Sequence, residues 1–152
     1  MPLPAAFTPY TLAKLTSEVQ NDPLNLGYAA AKTSGGDQAI ANLMNSLTSA
    51  GAGPIYVNNL PAVAIRQAVV PADLLSLTSL QLQQLSFLLE SGVFDCSNAN
   101  VQTAFGTLFA SKPNTITAFT AIAVVTGSRA QVLWGMVVGT ITASQINQAI
   151  GS

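Results

Sequence analysis

The side chains able to move protons, hold metals or attack carbonyl groups are few in this sequence and stand apart. There is no histidine, so no imidazole base, Ser-His-Asp triad or histidine-bearing metal site can be assembled. The carboxylates Glu18, Asp22, Asp37, Asp73, Glu90 and Asp95 are isolated, with no close pair of the kind that cleaves glycosidic bonds. Gly127-Ser128 lacks the flanking Gly-x-Ser-x-Gly pattern of a nucleophile elbow, and Gly35-Gly36 lacks the Lys-Ser/Thr that completes a phosphate loop. The single cysteine, Cys96, has no obvious activating base and closes no disulfide within the chain; it reads as a small apolar residue. These gaps predict a non-enzymatic protein with no cofactor and no bound metal.

With no reaction centre to place, composition carries more information than any catalytic motif. The chain has 152 residues, enough for one domain with a core. Apolar residues make up 49%, an ordinary share, but charged residues only 7%, where a soluble domain has about 25%. Ser, Thr, Asn and Gln fill the polar positions instead. A free monomer relies on surface charge for solubility and mutual repulsion, and five basic and six acidic groups supply little of either. Neutral amides and hydroxyls cost less to desolvate than charges, so the composition predicts a protein covered by other subunits. A monomer kept soluble by neutral polar groups is the simpler alternative. The net charge of −1 and the scattering of Lys14, Lys32, Arg66, Lys112 and Arg129 argue against nucleic-acid binding, since no basic stripe can form. Residues 1–14, MPLPAAFTPYTLAK, lack the basic region and continuous apolar core of a signal peptide, which predicts no export from the cytoplasm.

Helix start signals punctuate the chain. Thr8-Pro9 predicts a first helix with Leu12, Leu15 and Val19 at helical spacing, ended by Asn21-Asp22-Pro23. Leu24 to Ala31 reads as a short helical turn in which Gly27 allows close packing or an unusual backbone angle. After the break at Ser34-Gly35-Gly36, Asp37 caps a helix with Ile40, Leu43, Met44 and Leu47 on one face, and Gly51-Ala52-Gly53-Pro54 ends it. Ile55-Tyr56-Val57 reads as a minor strand or a linker. Asn58 or Asn59 then caps a helix to about Val69, and Pro71 opens a brief turn through Leu75. Thr78 and Gln81 have capping-box spacing before a leucine-rich helix that Gly92 stops. Ser97 caps a helix presenting Val101, Phe105, Leu108 and Phe109, which Lys112-Pro113 ends. Thr115 starts another, with Phe119, Ile122 and Val125 or Thr126 inward, and Thr142 with Gln145 repeats the capping-box spacing before Ile146, Ala149 and Ile150. The reading is all-α: a single compact domain over residues 1–152, built from about seven short helices with no internal repeat. It has an N-terminal arm at 1–8, an internal linker at 50–58 and at most a minor extended segment near 55–57.

Residues 120–141, TAIAVVTGSRAQVLWGMVVGTI, are apolar enough to suggest a membrane span. A span needs about twenty continuous apolar residues and tolerates a central arginine poorly. Here Thr126-Gly127 stops one helix, Ser128 caps the next, and Gly135 and Gly139 interrupt the run again. Two short helices meeting at a corner are expected, and no membrane anchor. Arg129 falls in the first turn of the second helix, where the dipole opposes a cation. Either it pairs with a carboxylate of its own chain and fixes the corner, or it faces a neighbouring subunit.

Two stretches bear on identity together. The first is Asn21-Asp22-Pro23-Leu24-Asn25-Leu26-Gly27-Tyr28, followed by Ile40-Ala41-Asn42-Leu43-Met44-Asn45. The second is Gly127-Ser128-Arg129-Ala130-Gln131-Val132-Leu133-Trp134-Gly135, then Val138-Gly139-Thr140-Ile141-Thr142. In this order they resemble a family of small tailed-bacteriophage structural proteins, whose N-terminal pattern runs Asp-Pro-Leu-Gly-x-Gly-Tyr, then an aliphatic-Ala-x-Leu-aliphatic-Asn helix. The resemblance covers most of the chain and is weakest at residues 46–68. Asn25 stands where the family has its first glycine, and Gln131 where it has an acidic residue, which removes one candidate partner for Arg129.

The resemblance implies a virion protein at the head–tail junction: an adaptor or neck ring beneath the portal, assembled in the host cytoplasm. Its partners would be further copies of itself, the portal and tail or neck proteins. Asp22, Pro23, Gly27, Tyr28, Gly127, Ser128, Arg129 and Trp134 are the structural or interface candidates. Other roles within the virion are capsid decoration and the tail tip. The rival outside it is a monomeric regulatory or chaperone-like module whose hydrophobic groove takes a partner helix.

Overall fold

The computed structural model describes residues 8–151. The expected N-terminal arm therefore lies outside the described residues except for Thr8. Contacts group the chain into two compact units where the sequence reads as one domain: residues 1–55 with 126–152, and residues 56–125.

Unit 1 begins with α1 (Leu12–Asn21) and α2 (Tyr28–Asn45). Thr11, not Thr8, caps α1, its hydroxyl accepting from the Lys14 N–H at 3.2 Å. The break expected at Ser34-Gly35-Gly36 is a kink inside α2, made by Gly36 at φ 64° and ψ −155°. Asp37 is thus not a separate cap; it pairs across the kink with Lys32 at 2.5 Å, which holds its carboxyl below the usual range. After the strand β1 (Gly53–Tyr56) the chain leaves this unit. It returns through β4 (Val124–Gly127) into α8 (Arg129–Trp134), a 3-10 turn (Met136–Val138) and α9 (Ala143–Ile150). α1 and α2 pack on α9, and α2 also on α8. Leu15, Ile40, Met44, Trp134, Ile141 and Ile146 meet between them, each such burial contributing about 1.5–3 kcal/mol.

Unit 2 runs through β2 (Leu60–Pro61), α3 (Ala62–Ala68), α4 (Pro71–Leu75), α5 (Ser79–Leu89), β3 (Val93–Phe94), α6 (Ala99–Leu108) and α7 (Pro113–Ala123). Its core is aromatic. Phe105 stacks on Phe119 at 4.5 Å and on Phe109 at 5.6 Å, and meets Phe94 edge-on at 6.0 Å. Thr115, expected to start α7, is instead buried. It donates to Asp73 Oδ2 at 2.6 Å and accepts from the Val70 N–H at 3.0 Å, tying α7 to the start of α4. Asn98 caps α6 in place of Ser97, whose own amide and hydroxyl turn back to Asp95.

The all-α expectation is corrected. Among the described residues there are nine α-helices and a 3-10 turn, and two two-stranded sheets. In one, β2 and β3 run antiparallel with Leu60 opposite Phe94. In the other, β1 pairs with β4. β1 falls inside the stretch 50–58 expected to be a linker, and β4 holds the Val125 and Thr126 expected on a helix face. Strands of two to four residues are too short to declare a period of two. The β-branched run Val124-Val125-Thr126 prefers an extended backbone once a partner strand is present.

Candidate functional site

The first of the resembling stretches forms a corner whose pivot is one carboxylate. Asp22 ends α1 in the left-handed conformation, φ 40° and ψ 61°, its N–H bonded to Glu18 O at 3.0 Å. Its side chain then turns forward to the next helix. Oδ1 accepts from the Leu26 N–H at 2.6 Å, and Oδ2 from those of Gly27 and Tyr28 at 2.8 and 3.2 Å. The capping position of α2 is Gly27, which has no side chain to offer, so Asp22 satisfies those orphan amides from a distance. Gly27 sits at φ 86°, a region that side-chain-bearing residues seldom adopt. Asn25 stands at φ 55°, so the residue replacing the family's first glycine is one that tolerates the left-handed region. Pro23 is exposed on the outside of the turn.

Arg129 resolves to the intrachain alternative. Its Nε and Nη2 donate to the two oxygens of Glu18 at 2.7 and 3.0 Å, and the Tyr28 hydroxyl donates to the same carboxylate at 3.2 Å. Glu18 and Arg129 are 7% and 8% exposed, so this forked pair is shut away from water. Burial lowers the proton affinity of the guanidinium, but the hydrogen bond and charge of Glu18 outweigh it and raise the pKa. Burial, then the Glu18 charge, pushes the Tyr28 hydroxyl well above its ordinary range. A cation in the first turn of α8 is thereby offset by an anion from α1. Gly51 makes room for it: a Cβ there would lie 2.7 Å from Leu26 Cδ1 and 3.0 Å from Arg129 Cδ. Gly127 is equally confined, since a Cβ would lie 2.5 Å from Ile55 Cδ1. Ser128 caps α8 with Gln131 in a reciprocal capping box, so the residue at the family's acidic position serves the helix start.

A second link joins the same two stretches. Asn45 donates to Ile141 O at 2.7 Å and accepts from the Ile141 N–H at 2.9 Å, as a strand partner would. Trp134 is buried and meets Tyr10 edge-on at 5.2 Å. Of the eight sequence candidates, Tyr28, Gly127, Ser128, Arg129 and Trp134 are buried, Asp22 and Gly27 half-buried, and Pro23 exposed. Glu18, Asn45 and Gly51 complete the arrangement and are not among those candidates. Glu18 had a signal: it shares the α1 face of Leu15 and Val19, where a lone charge needs a partner.

This cluster is a satisfied polar core with no atom left to act on a substrate: among the described residues no buried side-chain nitrogen or oxygen lacks a partner. No group of three His, Cys, Asp or Glu side chains is placed to hold a metal ion, and no helix is long and apolar enough to cross a membrane, again among the described residues. Cys96 is buried, and its thiol is pushed up to about 11 by burial and by Asp95. The most apolar concavity is elsewhere, between α5 and α6 of unit 2: a groove of about 510 Å³ lined by Leu80, Phe87, Leu88, Ala104 and Leu108, with Gln83 and Gln84 on its edge. No family model matches the chain, and no curated protein or solved structure matches it significantly.

Proposed function

We propose that the chain is a non-enzymatic structural subunit of a tailed-phage virion, a ring-forming head–tail adaptor or neck protein that joins portal and tail. The observation that carries this reading is the closure of the two resembling stretches on one another. Asp22 and Tyr28 reach Arg129 through Glu18, and Asn45 reaches Ile141. Residues far apart in the chain that also define a family pattern are then explained by a shared fold core. Composition supports the same reading, because a 7% charged chain with exposed apolar helix faces suits permanent burial in an assembly. A ring requires contacts that repeat head to tail and close.

The test is the protein content of purified phage particles, read by mass spectrometry and by immunogold labelling. Label at the head–tail vertex is the expected result. Label over the capsid faces or at the tail tip would replace the adaptor role with decoration or a tip role, and absence from particles would overturn the reading. The α5–α6 groove also favours one rival, a monomeric module that binds a single partner helix. That rival predicts one-to-one complexes and a monomeric free protein.

A further inference from the structure

The exposed apolar side chains of unit 2 lie together. Leu80 and Phe87, two turns apart on α5, are 64% and 74% exposed, and both border the α5–α6 groove. Phe87 also borders a second depression, of about 470 Å³, shared with Val93 and Phe94. A phenyl ring thus stands as a ridge between two apolar hollows. Monomeric proteins seldom leave such a ring uncovered beside an apolar cleft.

What covers it is indicated by charge. No charged residue lies between Asp73 and Glu90, and α6 carries none from Ala99 to Leu108. A partner bringing a charge to this groove would bury it without a counterion, at a cost of several kcal/mol. The polar groups on the groove's edge are the amides of Gln83 and Gln84, each with a donor and an acceptor, so the same amides on another copy satisfy them. Ridge, hollow and self-matching amides occur on one face of one chain.

We infer that the α5–α6 face is the contact by which one copy of this chain binds a second, with Phe87 of one copy seated in the groove of the other. The inference rests on the assembly reading above and adds the surface. Reciprocal seating about a two-fold axis gives a dimer, and seating in one direction gives a closed ring; either puts a second copy on this face.

The experiment is the solution mass of the full chain by sedimentation, for wild type, Phe87→Lys, Leu80→Lys and the control Leu47→Lys, an exposed leucine of unit 1. The substituted side chains are exposed, so all four proteins should keep the same circular dichroism and thermal midpoint. The wild type and Leu47→Lys should sediment as oligomers, with Phe87→Lys and Leu80→Lys shifted to the monomer mass. Folded Phe87→Lys and Leu80→Lys that keep the wild-type mass would overturn the inference while leaving self-assembly in place. A wild type that is monomeric alone yet present in particles would overturn it and leave the virion reading standing. If Phe87→Lys fails to fold, Leu80→Lys decides by the same readout.

Discussion

Removing the guanidinium at position 129 would leave Glu18 ionised in a site closed to water. Arg129→Ala should therefore lower unfolding stability by about 3–5 kcal/mol, measured by urea denaturation. Replacing both partners with apolar residues, Glu18→Leu with Arg129→Met, should recover most of that loss, because no charge is then stranded. A double variant as unstable as the single one would show that the pair is needed for its geometry. Arg129→Lys should fall between, since an ammonium cannot make the forked bond. Asp22→Ala, which strips acceptors from three amides, should cost about 1–3 kcal/mol. At Gly27 the space for a Cβ is open but the backbone angle is not, so Gly27→Val should destabilise by about 1–3 kcal/mol and Gly27→Asn by much less. Cys96 gives the alkaline signature. Its folded pKa of about 11 lies above the ordinary thiol value of 9.0, so between them the folded chain keeps a proton that the unfolded chain has lost. Stability should fall as pH rises from about 9 to about 11, and more steeply in wild type than in Cys96→Ala. Parallel curves for the two proteins would contradict the assignment.

At the scale of elements, helix starts with side-chain caps were the most legible features. Thr78 with Gln81, Ser128 with Gln131 and Thr142 with Gln145 each form the reciprocal box that their spacing predicts. Ser128→Ala and Thr78→Ala should each cost about 1 kcal/mol, and Ser128→Ala should also loosen the corner that orients Arg129. Thermal unfolding measures the first effect, and amide hydrogen exchange through α8 the second. The signals misread were those with two outcomes. Ser34-Gly35-Gly36 can end a helix or kink it, and here the chain continues because Gly36 alone takes the non-helical angle. Ser97 and Asn98 are both good caps, and Asp95 engages Ser97 first. The strands were hidden for a different reason: β1 finds its partner at β4, far along the chain, where no local pattern points. The same distance hid Glu18 as the partner of Arg129 and Asn45 as the partner of Ile141. Gly127 read as a helix stop, yet its tightest constraint is Ile55, so Gly127→Ala should destabilise through that contact.

For the molecule as a whole, the proposal is a subunit that assembles through uncharged surfaces. Low charge was legible at once in the composition; which surface stays bare was not, because it depends on which leucines the fold leaves outside. Leu80 and Phe87 share the α5 segment with Leu85 and Leu89, and the latter two are buried. Association driven by apolar and amide contacts should be nearly indifferent to ionic strength, whereas charge pairing is screened. The most direct measurement is the sedimentation mass of the chain mixed with the portal and tail proteins of the same phage. The series should run from about 0.01 M to about 1 M salt, over which the Debye length shrinks from about 30 Å to about 3 Å. The account predicts a closed oligomer of constant mass throughout. A chain that stays monomeric beside those partners, or an assembly that falls apart as salt rises, would contradict it.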